Sequence, residues 1–331
     1  MKKKQNTSKY KKLKKSGVRA LEYDYHLPVF LQKAVDYLVT DQRGIYLDGT
    51  LGGGGHSSEI LKRLDGGKLY AFDKDPDAIE HCKNKFADEL NLGGEEARLI
   101  LKNESYIGAC SIEEIGGKIK GLLLDLGVSS RQIDSDTRGF SYRLNTSLDM
   151  RFGSYGQSAE ALIQAASEAE LTKVFQVYGE EPFAKTIARQ IILMRRARHF
   201  KSTFDLREAI ENAVPQKFLI KSLSRVFQAI RIAVNDELGA LEQTLHEIIK
   251  IMAPGARIVV ISYHSLEDRI VKTFFKENST YIKEHITENR LTNIVPKLKI
   301  ITKSPIIPND EEMQCNPRSR SAKMRVAEII Y

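Results

Sequence analysis

Three carboxylates in this chain each follow directly on an apolar run. Asp48 ends Ile45-Tyr46-Leu47, Asp73 ends Lys68-Leu69-Tyr70-Ala71-Phe72, and Asp125 ends Ile119-Lys120-Gly121-Leu122-Leu123-Leu124. An ionised carboxylate only accepts hydrogen bonds, so an acid at the mouth of a buried strand can hold ligand hydroxyls or amines, or take a proton from one. Between the first two lies Gly49-Thr50-Leu51-Gly52-Gly53-Gly54-Gly55-His56, and Ser57-Ser58-Glu59-Ile60-Leu61 then reads as the start of a helix. A strand, a turn stripped of side chains and a helix N-terminus make a cradle for a nucleotide-like ligand. Asp73 follows the glycines by about twenty residues, where two-strand nucleotide folds place the acid that binds ribose hydroxyls. Taken singly, each acid would serve equally as a helix cap or turn carboxylate, and the glycines as a surface loop. Their order along the chain favours the ligand reading.

The elements that must position these groups alternate. A helix opened by His26-Leu27-Pro28-Val29 runs to Leu38; strands at 45–48, 68–73, 98–101 and 119–125 enclose helices at 57–64 and 76–90. That alternation predicts a parallel sheet with helices on both faces, the loops after its strands sharing one edge. Asn103 to Tyr106 would join the three acids there. From Arg131 the pattern changes, and Arg138 to Phe152, rich in arginines and aromatics without clean periodicity, reads as a loop. Helices follow: one opened by the capping box Ser167-Glu168-Ala169-Glu170, one from Pro182 to Arg198, and one from Ser202. No strand signal interrupts 156–213. Residues 222–252 read as one long helix or two joined near Gly239, followed by a fifth strand at 257–262. Two more strands, 298–301 and 324–330, flank a small basic loop, Arg318 to Ser321, and are expected to pair and finish the sheet. The division this predicts is a basic disordered tail at 1–20, a sheet domain from 21–130 and 227–331, and an inserted helical domain at 131–226.

With 331 residues, 42% of them hydrophobic, the chain can bury a sizeable core. No apolar run approaches the ~20 residues of a membrane span, and no secretory signal is seen, so a cytoplasmic protein is expected. Cys82, Cys110 and Cys315 are odd in number and far apart, without a C-x-x-C pair, so neither a disulfide framework nor a metal site is expected. The formal charge is +8; nine of the 51 Lys and Arg fall in residues 1–19, which hold no acid, and the other 42 nearly balance 43 acids. Such a tail adds salt-sensitive, sequence-independent affinity for nucleic acid.

The glycine cradle and acid suit dinucleotides, flavins and S-adenosylmethionine alike. The dinucleotide spacing G-x-G-x-x-G is not reproduced from Gly49, since Leu51 stands where the second glycine belongs. Asp125-Leu126-Gly127-Val128-Ser129-Ser130 lies where Rossmann-like methyltransferases place the loop between the cofactor's methyl group and its acceptor.

From His26 onward the sequence resembles the bacterial 16S ribosomal RNA cytosine-N4 methyltransferases that use S-adenosylmethionine. The motifs in common include Asp48 to Ser57, Asp73-Lys74-Asp75-Pro76, Leu123 to Ser130, Arg138-Gly139-Phe140-Ser141, Leu148-Asp149-Met150-Arg151, Arg231 to Leu238, His264 to Arg269 and Arg320 to Lys323. The resemblance implies a Rossmann-like (class I) α/β methyltransferase sheet with an inserted helical domain for substrate recognition. It implies that Gly54, Gly55 and His56 hold the cofactor, Asp73 its ribose, Tyr106 its adenine, and Asp125 with Gln132 the rest of the pocket. Family members usually carry Phe at the positions of Tyr106 and Tyr263, proline is common where Arg131 stands, and the position of Gly53 varies. The implied partner is 16S rRNA or the small ribosomal subunit, methylated at cytosine 1402 of the decoding region, with a homodimer carried as an expectation.

The exocyclic N4 of cytosine is a weak nucleophile, its lone pair delocalised into the ring, so an acceptor must hold an N–H while the nitrogen attacks. Asp125 is the candidate acceptor, with Ser129 or the Ser262 to His264 turn assisting; His264 serves equally well as a structural residue. The Asp/Asn-Pro-Pro-aromatic loop of amino-methylating DNA enzymes is missing here, which leaves Phe140, Tyr142 and Tyr263 as candidates to stack on the base. A base must be unpaired or extruded to enter such a pocket, and Arg138, Arg143, Arg151, Arg195, Arg196 and Arg198 are candidate phosphate contacts. Two other functions fit the sequence: a methyltransferase of the same fold acting on another RNA base or a protein, and a ribosome-assembly binding protein that holds the cofactor without turnover.

Overall fold

The computed structural model describes residues 28–90, 97–279, 282–286, 290–294 and 296–331. The basic tail at 1–20, and His26 and Leu27 at the opening of the predicted first helix, lie outside them. After α1 (Leu31–Leu38) come β1 (Ile45–Asp48), α2 (Gly55–Arg63), β2 (Lys68–Phe72), α3 (Pro76–Lys85), α4 (Ala87–Leu90), β3 (Leu99–Lys102) and β4 (Ile119–Asp125). A short α5 (Ser130–Asp134) precedes the helices α6 (Ala159–Ala165), α7 (Glu168–Gly179), α8 (Ala184–Ala197), α9 (Thr203–Ala213), α10 (Leu219–Asn235) and α11 (Glu237–Ile248). The chain closes with β5 (Met252–Ser262), α12 (Ser265–Ser279), a hairpin of β6 (Ile282–Ile286) and β7 (Arg290–Ile294), then β8 (Leu298–Ile300), α13 (Asp310–Cys315) and β9 (Lys323–Ile329). Among the described residues no helix is long and apolar enough to cross a membrane.

Seven strands form one sheet in the order β3-β2-β1-β4-β5-β9-β8. The first five are parallel; β9 runs antiparallel to both β5 and β8. This is a Rossmann-like α/β sheet, and the last two strands complete it as the sequence predicts. Because side chains alternate across a strand, consecutive residues feed two separate cores. Tyr46, Leu123, Val259 and Ile261 pack with α1 and α2 on one face. Leu47, Leu122, Leu124, Ile258 and Val260 pack with α11 and α12 on the other. A third apolar core, reaching from Leu148 to Ile230, belongs to the inserted helices.

Three details sharpen the sequence reading. Residues 130–134 are helical, nucleated by a capping box in which Ser129 and Gln132 each accept from the other's backbone N–H. The 222–252 stretch is two helices joined near Gly239 as expected, the junction itself being Asp236, which adopts a left-handed φ of 48°. Gly239 lies inside α11, where an added Cβ would come within 2.5 Å of the Asp236 carboxylate; the glycine leaves room for the turn. Finally, β5 begins at Met252, and Pro254-Gly255 sits on it as an exposed irregularity between the pairs Ile119–Met252 and Gly121–Arg257.

Candidate active site

The carboxyl ends of β1, β2, β4 and β5 open into a cleft of about 1710 Å³. Its wall is built from the turn after β1, from Asp73 and Asp75, from Tyr106, from the Asp125 to Ser129 loop, and from Tyr263 and His264. The glycines are required for different reasons. Gly54 holds a left-handed φ of 68° at the start of α2, with the Phe86 ring 2.6 Å from where a Cβ would sit. Gly55 faces the cleft with the Pro28 ring 2.2 Å from its own missing Cβ. Gly54 does not line the cleft; it sets the backbone that does.

Asp48 is fully buried and accepts from the Ser57 hydroxyl at 2.6 Å and the Thr50 N–H at 3.1 Å. It fastens the turn to β1. Asp73 reaches the cleft, accepting from the Gly52 N–H on Oδ2 and the Asp75 N–H on Oδ1, both at 2.8 Å. Burial lifts its pKa to about 6 against those two donors. Asp125 takes the Tyr263 hydroxyl on Oδ1 at 2.8 Å, and its own N–H donates to Thr50 Oγ1 at 2.7 Å. Burial is the largest push on it, opposed by the Tyr263 hydroxyl and reinforced by Asp48 and Glu267, and its pKa rises to about 7.

His56 completes this corner. Its Nε2 lies 3.1 Å from the Val29 carbonyl, and a carbonyl can only accept, so Nε2 carries the hydrogen. Burial lowers the ring's pKa to about 4, which keeps it neutral and makes Nδ1 an acceptor. That Nδ1 stands 3.6 Å from Asp125 Oδ2. Two acceptors at this distance repel unless a proton or a cationic N–H donor lies between them. The corner is therefore neutral when Asp125 is protonated and is suited to an amine when it is ionised.

Ser129 and Gln132 both line the cleft. The Ser129 hydroxyl accepts from the Gln132 N–H at 3.2 Å, so it serves as the cap of α5, while Gln132 Nε2 donates to Asp75 Oδ2 at 2.9 Å. His264 also lines the cleft; its Nδ1 accepts from the Glu267 N–H at 3.4 Å, and its Nε2 is buried 3.1 Å from Glu267 Oε1. Glu267 accepts from the Tyr263 N–H at 2.8 Å. Against the upward push of burial, His264, Arg231 and the Tyr263 backbone hold it below the ordinary carboxylate range. Arg231 is bidentate to Glu237, at 2.8 and 2.9 Å.

The loop from Arg138 to Phe152 is used otherwise than its composition suggests. Arg138 reaches Asp75 at 3.2 Å and donates to the carbonyls of Arg151 and Phe152. Arg151 grips Asp149 with Nε and Nη2, both at 2.8 Å, and donates to the carbonyls of Ser154 and Gly156. Asn235 ties this loop to α10, accepting from the Phe152 N–H and donating to the Met150 carbonyl. Arg195 caps α6 through the carbonyls of Ile163, Gln164 and Ala166, and Arg198 pairs with Glu208 and Asp205. Phe140 stacks on Phe152 with centroids 5.7 Å apart, and Tyr142 packs edge-on to Phe227. Of the loop residues singled out from the sequence, Arg143 lines the cleft, where it is exposed; Arg138, Phe140, Tyr142 and Arg151 do not.

The sequence reading missed Thr50, Phe152, Arg231 and Glu267 in the cleft wall, and gave Tyr263 a stacking role without its bond to Asp125. The capping spacing Ser129-x-x-Gln132 and the short spacings of Glu267 to Tyr263 and His264 and of Arg231 to Glu237 were there to be read; the bonds of Thr50 and Tyr263 to Asp125 and of Phe152 to Asn235 depend on contacts distant along the chain.

A family model described as the MraW methylase family matches residues 24–330. A protein of Heliobacterium modesticaldum (strain ATCC 51547 / Ice1), named Ribosomal RNA small subunit methyltransferase H, is 43% identical over 319 residues, covering 92% of this chain and 99% of that protein. Among solved structures, SMU.1697c of Streptococcus mutans in complex with SAH is 13% identical with a TM-score of 0.42, covering 90% of this chain and 97% of that one. An rRNA methylase of Streptococcus thermophilus is 10% identical with a TM-score of 0.39, covering 90% and 93%. Both likenesses are loose.

Proposed function

Because this chain belongs to the MraW methylase family, we propose that its methyltransferase chemistry draws on S-adenosylmethionine and acts on the exocyclic N4 of a cytosine in 16S rRNA. The observation that carries the reading is the corner formed by Asp125, His56 and Tyr263 beside the glycine turn, a set of acceptors facing a cleft. The donor set suits that cofactor: its amine calls for acceptors, which Asp125 Oδ2 and His56 Nδ1 provide, and its ribose calls for a carboxylate, which Asp73 provides. Gly55 leaves the floor bare, Tyr106 offers its ring to the adenine, and Gln132 keeps Asp75 and the Ser129 cap in register. The cofactor supplies a methyl carbon made electrophilic by the neighbouring sulfonium.

Asp125 has a second task in this reading. Its carboxylate accepts an N4 hydrogen of the incoming cytosine, concentrating lone-pair density on the nitrogen. Uracil, with a carbonyl at that position, would present an acceptor to an acceptor and be refused. Tyr263 fixes the carboxylate through Oδ1, and Phe152 and Tyr263 are the rings in the cleft wall available to stack on the base. The helices at 131–226 act as the recognition domain, with 21–130 and 227–331 as the methyltransferase domain.

The test is transfer of labelled methyl groups from S-adenosylmethionine to unmodified 16S rRNA or small subunits, followed by nucleoside mass spectrometry. N4-methylcytidine is the expected product. A ring-methylated base, or label found only in protein, would sink the assignment.

A further inference from the structure

Beyond Arg143 from the cleft lies a second groove of about 580 Å³, between the Tyr142–Arg143 strip, α9 and the start of α10. Arg143 lines both cavities, and the Ser224 hydroxyl on the cleft side reaches Tyr142 Oη at 3.5 Å. A chain leaving the cleft past Arg143 therefore enters this groove.

Tyr142 lines the groove, and Phe204 on α9 and Phe218 just before α10 belong to the segments that bound it; each of the three rings has a cation over it. Arg143 lies 5.8 Å from the Tyr142 centroid, Arg207 5.3 Å from that of Phe204, and Lys217 4.8 Å from that of Phe218. The rings are not sealed into the helical core: Phe204 is 38% exposed and Phe218 39%, while Ile220, which lines the groove, is 63% exposed. Lys221 is exposed beside them. The acid lining the groove, Glu211, is paired with Arg207 at 2.7 Å, so the remaining charge is positive. A protein partner of this size would favour an apolar centre depleted of lysine. Flat apolar surface interleaved with cations matches instead a strand whose bases stack and whose phosphates need neutralising.

We propose that this groove binds the single-stranded RNA that flanks the base held in the cleft, stacking bases on the Phe218 and Ile220 surface with Arg143, Arg207 and Lys217 on the phosphates. The proposal rests on RNA being the substrate, and it adds where the rest of the strand lies.

The experiment uses the full chain carrying Lys217→Glu with Ile220→Glu, and separately Arg207→Gln; calorimetry with S-adenosylmethionine reports that the cleft is intact. Methyl transfer is followed on a short oligonucleotide holding the target cytosine and its immediate neighbours, and on one extended by several unpaired nucleotides. For the extended RNA the double variant is expected to raise KM about tenfold with kcat unchanged, while the short RNA is indifferent. Lys217→Arg restores the wild-type value when introduced in place of Glu. Equal KM for the extended RNA in variant and wild type would overturn the groove and leave the reaction standing. If the wild type methylates neither RNA, the substrate reading fails instead, and fluorescence anisotropy with labelled single-stranded RNA decides the groove alone. Binding weakened about tenfold by the variant keeps the proposal; undiminished binding removes it.

Discussion

The cleft corner and the seam under the 138–152 loop use the same few residue types in opposite ways. In the seam, Arg138 and Arg151 meet Asp75, Asp149 and a set of backbone carbonyls, and Asn235 has both ends of its amide engaged. Charges and amides there are paired inside the protein, which converts an irregular loop into a fixed strut between the sheet and the helices. In the cleft, Asp125 Oδ2 and His56 Nδ1 face each other as two acceptors. A polar group completed internally holds a fold together, whereas one left incomplete at a cleft wall is available to a ligand. Composition does not separate the two cases; pairing does.

The largest effect expected is at Asp125. Asp125→Asn should lower methyl transfer by about a hundredfold or more, since it removes the proton acceptor while preserving the shape of the corner. The same change should stabilise the free protein at alkaline pH. The folded-state pKa of Asp125, about 7, lies above that of an unfolded carboxylate. Its neutral form thus contributes stability that is full at acid pH and is lost as pH rises through about 7. Asparagine keeps the neutral form and can donate to His56 Nδ1, so thermal melts of the variant and wild type should agree near pH 4 and diverge by about 2 °C or more at pH 8. A variant less stable than wild type at pH 8 would break the account of the corner.

Asp73→Ala should come next, weakening S-adenosylmethionine binding about a hundredfold by calorimetry, because it removes the acceptor for two hydroxyls and the partner of the Gly52 N–H. Arg138→Ala tests the other side of the comparison. It should cost about 2 kcal/mol of stability in denaturant melts, with RNA affinity unchanged once corrected for the folded fraction. A large loss of RNA affinity at full stability would return Arg138 to the phosphate contacts expected from the sequence. The smallest effect is at Tyr263. Its hydroxyl favours the ionised Asp125, so Tyr263→Phe should move the acid limb of the pH–rate profile upward by about half a unit to one unit, leaving the alkaline plateau within about twofold of wild type.

Much of this is legible in the amino-acid sequence alone. Parallel strands joined by helices must bring their carboxyl ends to one edge, so runs ending in Asp48, Asp73 and Asp125 already grouped these acids, with the glycine turn between the first two at the same edge. Helix boundaries carried local signals, such as the Ser167 and Ser202 caps. What the tertiary structure alone decided is which groups are engaged. Tyr263 meets Asp125 across 138 positions and Arg138 meets Asp75 across 63, and no local pattern encodes such pairs. The hydrogen on His56 sits on Nε2 because the Val29 carbonyl, 27 residues away, can only accept. Backbone periodicity is a property of neighbours along the chain, and so the sequence determined the sheet, its edge and the glycine turn at that edge. The hydrogen-bonding state of a side chain is a property of neighbours in space, and so only the fold could separate Arg138 and Arg151, which brace the loop, from Arg143, which lines the cleft.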